Sequence, residues 1–344
     1  MRRNEVEETI HAFAKLGEKI LIDIEARRQV FKIAQRKNPW FEEREVLRML
    51  HAISESYLDE TKLFSWIERY PEISNAHAQN IGLIAAANIP LVSFHDLLCI
   101  LISGSNVLLR CSDRDTVLYE WIIGMLNDIN PKMGTRIRMV DKLTDFEAII
   151  ATGSDHSYTY FKKYFSRVPH LLRGHRNSIA WISGLEDEKA LIQLGEDIYS
   201  YFGLGCRNVS LLFIPREYDL APLLRIWDEN FQYLRDSNRY NNNYEYRLAI
   251  SMLNGLKFHQ SETLLLIESN AIASHLSTLH YQFYDDKQQI ERFCVDHRDK
   301  IQCIVGPSSL TNQTCARFGS SQKPELEDYA DGTDTMKFLL SLNY

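Results

Sequence analysis

The chain has 344 residues, of which 45% are hydrophobic and 25% are charged. This length provides for roughly two domains, each with enough apolar side chains for a core. A formal net charge of −7 argues against nucleic-acid binding, because no overall basic balance attracts phosphates, but it is compatible with a local basic pocket for an anionic cofactor.

The N-terminal stretch MRRNEVEETIHAFAKLGEKI lacks a continuous apolar segment, so it indicates an amphipathic helix and not a signal peptide. Apolar side chains continue at helical spacing through about the first eighty residues. The most apolar window, IPLVSFHDLLCILISG, is interrupted by His95 and Asp96 and is too short to span a bilayer. We therefore expect a cytoplasmic protein without a membrane span.

Short apolar runs then alternate with helical segments. The predicted strands are NIGLIAAAN, SNVLLRCS, RIRMVD, DFEAIIATGS and RNSIAWISG, and the predicted helices are PLVSFHDLLCILISG, RDTVLYEWIIGMLNDI and SYTYFKKYFSRV. A strand, a helix and a second strand within about thirty residues form a βαβ unit, whose strands are normally parallel. The pattern predicts a doubly wound parallel sheet that binds its ligands at the carboxyl ends of the strands.

A second α/β segment begins at about Leu185. The helix EDEKALIQLGEDIYSYFG ends in Gly203, which suits a left-handed C-cap, and Cys206 lies in the loop that follows. Further strands are predicted at NVSLLFIP, ETLLLIE, LSTLHYQFY and IQCIVG. We expect N-terminal helices and a dinucleotide-binding domain over residues 1–184, a catalytic domain over 185–310, and a tail over 311–344 that packs back on the core. The acidic cluster in DYADGTD is expected to start a helix within this tail.

The cysteine pattern argues against a metal site. Residues 99, 111, 206, 294, 303 and 315 are cysteines, and no pair of them has the C-x-x-C spacing of a zinc ribbon or redox dithiol. His297 lies near Cys294 and Cys303, but a fourth ligand is lacking and Cys303 is flanked by isoleucines as in a strand. Reduced thiols and no metal are expected.

Cys206 is the first candidate for a catalytic residue. A cysteine reacts as its thiolate, which positive surroundings, backbone N–H groups and partial exposure favour. Arg207 is adjacent, and Gly203 and Gly205 allow a substrate to approach the backbone closely. Two interpretations remain open from these residues alone: a nucleophile, or a buried thiol at a tight corner.

Asn88 is the second candidate, because it follows the first predicted strand of the sheet. Pro90 is suited to open the next helix, which places Asn88 at the carboxyl end of the strand. An amide N–H₂ at that edge can stabilise a developing oxyanion. The alternative is a turn or N-cap asparagine.

The ends of two further strands carry groups suited to a nucleotide. Arg110 and Ser112 end the second strand, where they can meet a ribose or phosphate; the alternative for Arg110 is a surface ion pair. Thr152, Gly153 and Ser154 form a strand-to-helix turn whose N–H groups can bind phosphate. A G-x-G-x-x-G fingerprint is absent, which argues against an ordinary Rossmann dehydrogenase.

These pieces resemble a known superfamily. AAANIPLVSFHDLLCILISGSNVLLRCSD resembles the aldehyde dehydrogenase segment in which an asparagine-bearing turn precedes a helix and a lysine-bearing strand. ATGS resembles its Thr-Gly-Ser turn under the cofactor, and GLGCRNVSLLFIP resembles its catalytic-cysteine loop. More specifically, NIPLVSFHD, GEDIYSYFGLGCRNVS and the tail IQCIVG…FGSSQKPELEDYADGTDTM resemble the acyl-CoA reductase branch, the fatty acid reductases of bacterial bioluminescence. The resemblance runs from about Asn38 onward.

The resemblance implies an aldehyde dehydrogenase-like α/β fold, with a doubly wound cofactor domain and an α/β catalytic domain. Cys206 would take the acyl group from acyl-CoA or an acyl-carrier thioester. Asn88 and the Cys206 backbone N–H would stabilise the oxyanion. The implied reaction is reduction of the thioester, which is expected to be fatty acyl, to an aldehyde through an acyl-cysteine.

The cofactor implied by the resemblance is a nicotinamide dinucleotide. Arg110 stands where the superfamily has a lysine that contacts the adenosine ribose, and residues 152–154 would line the cofactor. Arg110 and Arg114 would tolerate a 2′-phosphate, which favours NADPH over NADH.

Two departures from the superfamily matter. Hydrolytic members carry a glutamate that activates water between the Thr-Gly-Ser turn and the cysteine, whereas the corresponding stretch HLLRGHRNS has no carboxylate, which favours thioester reduction. The N-terminal segment is shorter than in typical members, which leaves the oligomerisation arm and a homo-oligomeric state open. The alternatives to a reductase are an acyltransferase or thioesterase that uses the same cysteine, and a non-catalytic acyl-binding protein.

Overall fold

The chain folds into two compact units. The computed structural model describes residues 3–22, 24–75, 77–311 and 314–342. The first unit comprises Met1–His175 together with Lys323–Tyr344, and the second comprises Arg176–Gln322. The compact units thus divide after His175 and after Gln322, while the functional boundaries predicted at residues 184 and 310 stay predictions.

The elements alternate as an α/β pattern requires. The helices are α1 (Arg3–Ile20), α2 (Ile24–Lys37), α3 (Glu43–Tyr57), α4 (Glu60–Ile67), α5 (Phe94–Ile102), α6 (Thr116–Ile129), α7 (Pro131–Gly134), α8 (Asp155–Tyr164), α9 (Glu188–Tyr199), α10 (Leu220–Asn230), α11 (Tyr233–Asp236), α12 (Asn238–Leu253), α13 (Lys287–Asp296) and α14 (Thr335–Ser341). The strands are β1 (Asn80–Ala85), β2 (Asn106–Cys111), β3 (Ile137–Met139), β4 (Ala148–Thr152), β5 (His170–Arg173), β6 (Asn177–Trp181), β7 (Val209–Pro215), β8 (His259–Gln260), β9 (Leu265–Glu268), β10 (Thr278–Tyr284) and β11 (Ile301–Val305). Across the described ranges, no helix has both the length and the apolar character needed to cross a bilayer.

The first unit contains the predicted parallel sheet, with the strand order β3-β2-β1-β4-β5. Alternate residues of β4 point to opposite faces: Ala148 and Ile150 join the large core, and Ile149 and Ala151 join a smaller one under α8. Both faces of the sheet are therefore covered, and the doubly wound architecture is confirmed. The order reverses beside β1, so β1 and β4 flank the switch point at which such sheets bind ligands.

The C-terminal helix α14 belongs to this unit. Its residues Met336, Leu339 and Leu340 are buried in the same core as the apolar side chains of α5. Asp334 caps α14 by accepting the Lys337 N–H at 2.9 Å, as the acidic cluster predicts. Burial of these three side chains holds the end of the chain against the first sheet.

The sequence assigned RNSIAWISG to the first sheet, and this assignment is wrong. The strand is β6, which lies in the second sheet between β11 and β7 and pairs in parallel with both. The edge of the first sheet is instead β5, a four-residue strand that was not predicted. Strand partners are set by pairing between distant segments, which the local apolar pattern does not specify.

The helix after β1 begins later than predicted. Helix α5 starts at Phe94, whereas Pro90 was expected to open it. Leu91 has a φ of +50°, a left-handed conformation that a right-handed helix cannot include. Its N–H donates to a carboxyl oxygen of Asp115 at 2.8 Å. Residues 86–93 therefore form a turn that separates the strand from the helix.

The second unit has the strand order β11-β6-β7-β10-β9-β8, parallel except for β8. Helix α9 ends at Tyr199, and Gly203 has the left-handed φ of +76° that the sequence predicts. The left-handed turn already begins at Tyr201 and Phe202, with φ values of +52° and +57°. Both aromatic rings are buried, which holds this strained backbone directly before the Cys206 loop.

A buried ion pair links three parts of the first unit. Arg173, the last residue of β5, donates one guanidinium nitrogen to Asp96 of α5 and the other to the Thr335 hydroxyl at 2.9 Å. All three side chains are buried. The pair therefore joins the edge strand, α5 and α14.

We predict that Asp96→Ala destabilises the first unit by about 3–5 kcal/mol, because it leaves the Arg173 guanidinium charged and buried without its partner. The measurement is urea unfolding, followed through hydrogen–deuterium exchange of peptides from α5 and β5. The control is Asp285→Ala, which breaks the exposed pair with Arg216 and should change the midpoint little. Equal effects of the two substitutions would contradict the prediction.

Candidate active site

Cys206 lies in the short loop between α9 and β7, at the amino end of a central strand of the second sheet. The six cysteines all lie in the described part of the chain and form no disulfide with one another, and Cys206 is partly exposed. Cys99, Cys111 and Cys294 are buried, and burial raises the pKa of each thiol, to about 12 for Cys294. These three thiols stay neutral near pH 7 and are poor nucleophiles.

The Cys206 loop is closed by the side chain of Asn208. The Asn208 side-chain Oδ1 accepts the Gly205 N–H at 2.8 Å. The backbone N–H of Asn208 donates to the Gly205 carbonyl at 3.1 Å. The Ser178 hydroxyl of β6 donates to the Cys206 carbonyl at 3.0 Å. The backbone on both sides of the thiol is thereby held by hydrogen bonds.

The amide of Asn208 also binds the end of α9. Its Nδ2 donates to the carbonyls of Asp197, Ile198 and Ser200 at 3.2, 3.2 and 2.8 Å. Carbonyls at a helix C-terminus lack partners within the helix, so the buried Asn208 satisfies groups that would otherwise be desolvated without a donor. One side chain thus joins the helix end to the cysteine loop.

Asn88 lies in the turn after β1 and is exposed. The turn is anchored by buried groups on three sides. The Asn38 Nδ2 donates to the Ala87 carbonyl at 2.9 Å, the Leu91 N–H donates to Asp115, and the Ser93 N–H donates to the Tyr119 hydroxyl at 3.1 Å. Burial raises the pKa of Asp115 well above its usual range, against the Leu91 hydrogen bond that lowers it.

Arg110 and Ser112 lie at the end of β2, next to β1. The Arg110 side chain is 36% exposed and pairs with the exposed Asp113 at 3.3 Å, which is the surface ion pair that the sequence left as an alternative. The Ser112 N–H donates to the Ala85 carbonyl at 3.1 Å, which holds this strand end beside β1.

The Thr-Gly-Ser turn lies at the end of β4, on the other side of β1. The Gly153 N–H donates to the Arg173 carbonyl at 3.2 Å, and Ser154 caps α8 by accepting the Ser157 N–H at 3.3 Å. A side chain at Gly153 would meet Ser157 at 2.7 Å, so only glycine allows the turn to lie this close to α8. The hydrogen bonds of residues 153 and 154 therefore shape the turn at the start of α8.

The structure places the predicted residues in two groups. Asn88, Arg110, Ser112 and residues 152–154 share the carboxyl edge of the first sheet, while Cys206 lies in the second unit. The roles of all of them stay predictions. Sequence reasoning missed the anchoring roles of Asn38, Asp115 and Asn208, whose partners are backbone groups and leave no pattern in the chain.

Comparisons with known proteins agree with this fold. No protein-family model and no curated protein sequence matches the chain. Aldehyde dehydrogenase 21 from Physcomitrella patens, solved with the reaction product succinate, aligns with a TM-score of 0.66 at 11% identity over 98% of this chain and 84% of that chain.

Two further solved structures are similar. A variant of the propionaldehyde dehydrogenase from the fucose utilisation microcompartment of Clostridium phytofermentans has a TM-score of 0.61 at 12% identity, over 91% of this chain and 80% of that chain. The NAD⁺ complex of an aldehyde dehydrogenase from Bacillus cereus has a TM-score of 0.59 at 13% identity, over 88% and 71%. The aldehyde dehydrogenase-like fold is confirmed.

We predict that iodoacetamide alkylates Cys206 in the folded protein well before Cys99, Cys111 or Cys294, because only a thiolate that solvent reaches reacts readily. Peptide mass spectrometry after timed quenching measures the order. Cys206→Ala should remove alkylation at position 206 without exposing the buried thiols; Cys303 and Cys315, which are also partly exposed, are quantified separately. Alkylation of Cys99 at the rate of Cys206 would contradict the prediction.

Proposed function

We propose that the protein reduces an acyl thioester to an aldehyde through an acyl-cysteine on Cys206. The observation that carries the proposal is the partly exposed thiol in a loop whose backbone the buried Asn208 holds, on an aldehyde dehydrogenase-like fold. The proposed substrate is a fatty acyl-CoA or the corresponding acyl-carrier thioester.

The first half-reaction forms the acyl-enzyme. The Cys206 Sγ, as its thiolate, attacks the thioester carbonyl carbon and forms a tetrahedral oxyanion. The oxyanion collapses, the bond from carbon to the CoA sulfur breaks, and CoA leaves as a thiolate that takes up a proton. The acyl group remains on Sγ, and no metal takes part.

Two donors are proposed for the oxyanion: the Asn88 side-chain amide and the Cys206 backbone N–H. Donors that are already fixed where charge develops cost no reorganisation during the reaction. The anchored turn that carries Asn88 and the closed loop that carries Cys206 each provide this rigidity within its own unit.

The carboxyl edge of the first sheet suits a nicotinamide dinucleotide, which when bound supplies the hydride for release of the aldehyde. Gly153 allows a close turn before α8, whose N-terminus favours a pyrophosphate. Arg110 and Ser112 would meet the adenosine ribose. The positive charges of Arg110 and Arg114 favour NADPH, with NADH as the alternative.

A reductase must also keep the acyl-cysteine from hydrolysis. The stretch HLLRGHRNS has no carboxylate, and Arg173 within it is engaged with Asp96 inside the first unit. Without a base to activate water at this position, we expect hydride transfer to outcompete hydrolysis.

We predict that incubation with an acyl-CoA, without nicotinamide, adds one acyl mass to the protein, because acylation precedes hydride transfer. Intact-mass spectrometry detects the adduct. Addition of NADPH should then discharge it as aldehyde, and NADH should do so more slowly. Cys206→Ala should abolish the adduct, and the matched control Cys303→Ala, at another partly exposed thiol, should retain it.

Three outcomes contradict this proposal. Release of free acid without nicotinamide would indicate a thioesterase, and transfer of the acyl group to an added thiol without reduction would indicate an acyltransferase. Binding of acyl-CoA without any adduct would indicate a non-catalytic acyl-binding protein.

We predict that Asn88→Ala slows acylation by roughly 10²–10³-fold, which is the usual effect of removing one oxyanion donor. Single-turnover acylation with acyl-CoA in excess measures the rate, and the dissociation constant for NADPH should not change. The control is Asn130→Ala in the same unit, which removes the cap of α7 and should leave the acylation rate near that of the wild type. A wild-type rate for Asn88→Ala would exclude Asn88 as a donor.

A further inference from the structure

We infer that Asp197 is a positioning residue that holds the Cys206 loop through the last turn of α9. The inference rests on the proposed function, because it concerns the reactivity of the same thiol. All the contacts that carry it lie within the second unit, Arg176–Gln322.

The Asp197 carboxyl group binds a distant segment of the chain. One oxygen accepts the Gly319 N–H at 2.7 Å, and the other accepts the N–H and the hydroxyl of Ser321 at 3.0 and 2.6 Å. Asp197 and Ser321 are both buried. Burial raises the pKa of Asp197 to about 6, against these three hydrogen bonds, which favour its charged form.

The 319–321 turn is shaped to lie against α9. Gly319 has a φ of +78°, and a side chain there would approach the Cβ of Gln193 on α9 to 3.1 Å. Burying a carboxylate costs free energy unless hydrogen-bond donors replace the water that it loses. All three donors must therefore stay in place around Asp197. The turn and the last part of α9 are therefore held in one arrangement.

The backbone of the same residue holds the cysteine loop. The Asp197 carbonyl is one of the three that accept from Asn208, and the Asn208 Oδ1 in turn accepts the Gly205 N–H, one residue before Cys206. The carboxylate thus fixes the helix end on one side, and the carbonyl transmits that position to the loop on the other. The positions of the 319–321 turn and of the Cys206 loop are thus both fixed by the last turn of α9.

The chemistry requires this precision. The Cys206 Sγ must reach the carbon of the same substrate carbonyl whose oxygen accepts the Cys206 N–H. Small displacements of reacting groups lower the reaction rate strongly. Loosening of the last turn of α9 should displace the loop while the fold persists. The expected consequence is slower acylation and an altered rate of alkylation at Cys206, with substrate binding little changed.

The test is Asp197→Asn, which keeps the size of the side chain but places an N–H₂ group where one carboxylate oxygen accepts hydrogen bonds. The control is Asp286→Ala in the same unit, because Asp286 also accepts a backbone N–H, that of Gln288 at 3.1 Å, but caps a different helix, α13. Both variants should lose stability, which thermal unfolding compares.

The readout is the rate of Cys206 alkylation by iodoacetamide as a function of pH, followed by peptide mass spectrometry, which needs no substrate. For Asp197→Asn we expect the alkylation rate at pH 7 to differ at least about tenfold from the wild-type rate, because the exposure and the surroundings of Sγ both depend on how the loop is held. Asp286→Ala should keep the wild-type profile. With acyl-CoA, Asp197→Asn should lower kcat and leave KM nearly unchanged.

A wild-type alkylation profile for Asp197→Asn, or equal changes in both variants, overturns the inference. If Asp197→Asn does not fold, Ser321→Ala removes only the hydroxyl donor and should give a smaller change in the same direction; an unchanged profile for that variant also overturns it. Absence of an acyl adduct on the wild type would refute the proposed function, whereas the alkylation comparison would still decide the role of Asp197.

Discussion

The candidate active site depends on the pairing of buried backbone groups around Cys206. A loop between a helix and a strand has neither the helical ladder nor the sheet ladder to satisfy its polar groups, and each group left unpaired costs about 1–3 kcal/mol. The buried side-chain amide of Asn208 accepts a hydrogen bond from the Gly205 N–H and donates to carbonyls at the end of α9. It thereby pairs backbone groups that neither a helix nor a sheet pairs here. These hydrogen bonds hold the loop in one arrangement, although it lies outside regular structure.

The first unit uses the same principle around Asn88. The turn after β1 is held by Asn38 from the N-terminal helical segment and by Asp115 from the start of α6, and each binds a backbone group of the turn. Loops carry function in many folds because a rigid scaffold positions them. In this protein the link between scaffold and loop is a small number of buried polar side chains that do not themselves need to touch a substrate.

Local apolar periodicity was sufficient to predict most strands of both sheets and the long helices, because each element buries one face of its own sequence. It was insufficient where distant segments decide the structure. The strand β6 lies in the second sheet because β7 and β11 pair with it, and α5 begins at Phe94 because Asp115 holds Leu91 in a left-handed conformation. The motifs single out Cys206 and Asn88 as candidates, whose roles stay predictions. They do not reveal the structural role of Asn208, since its partners are carbonyl and N–H groups that every residue carries.

Under the proposed function, whether an acyl-cysteine is reduced or hydrolysed depends on the presence of a general base that activates water. A general base must be ionised, within reach of water and free to accept a proton. In the stretch where hydrolytic aldehyde dehydrogenases carry that base, the described structure has Arg173, whose guanidinium binds Asp96 and the Thr335 hydroxyl in the interior of the first unit. The neighbouring carboxylate is thus committed to an internal ion pair, where its negative charge stabilises the junction of β5, α5 and α14. Under the proposed function, the stretch HLLRGHRNS thus offers no carboxylate of its own to activate water, which favours reduction of the acyl-cysteine over its hydrolysis.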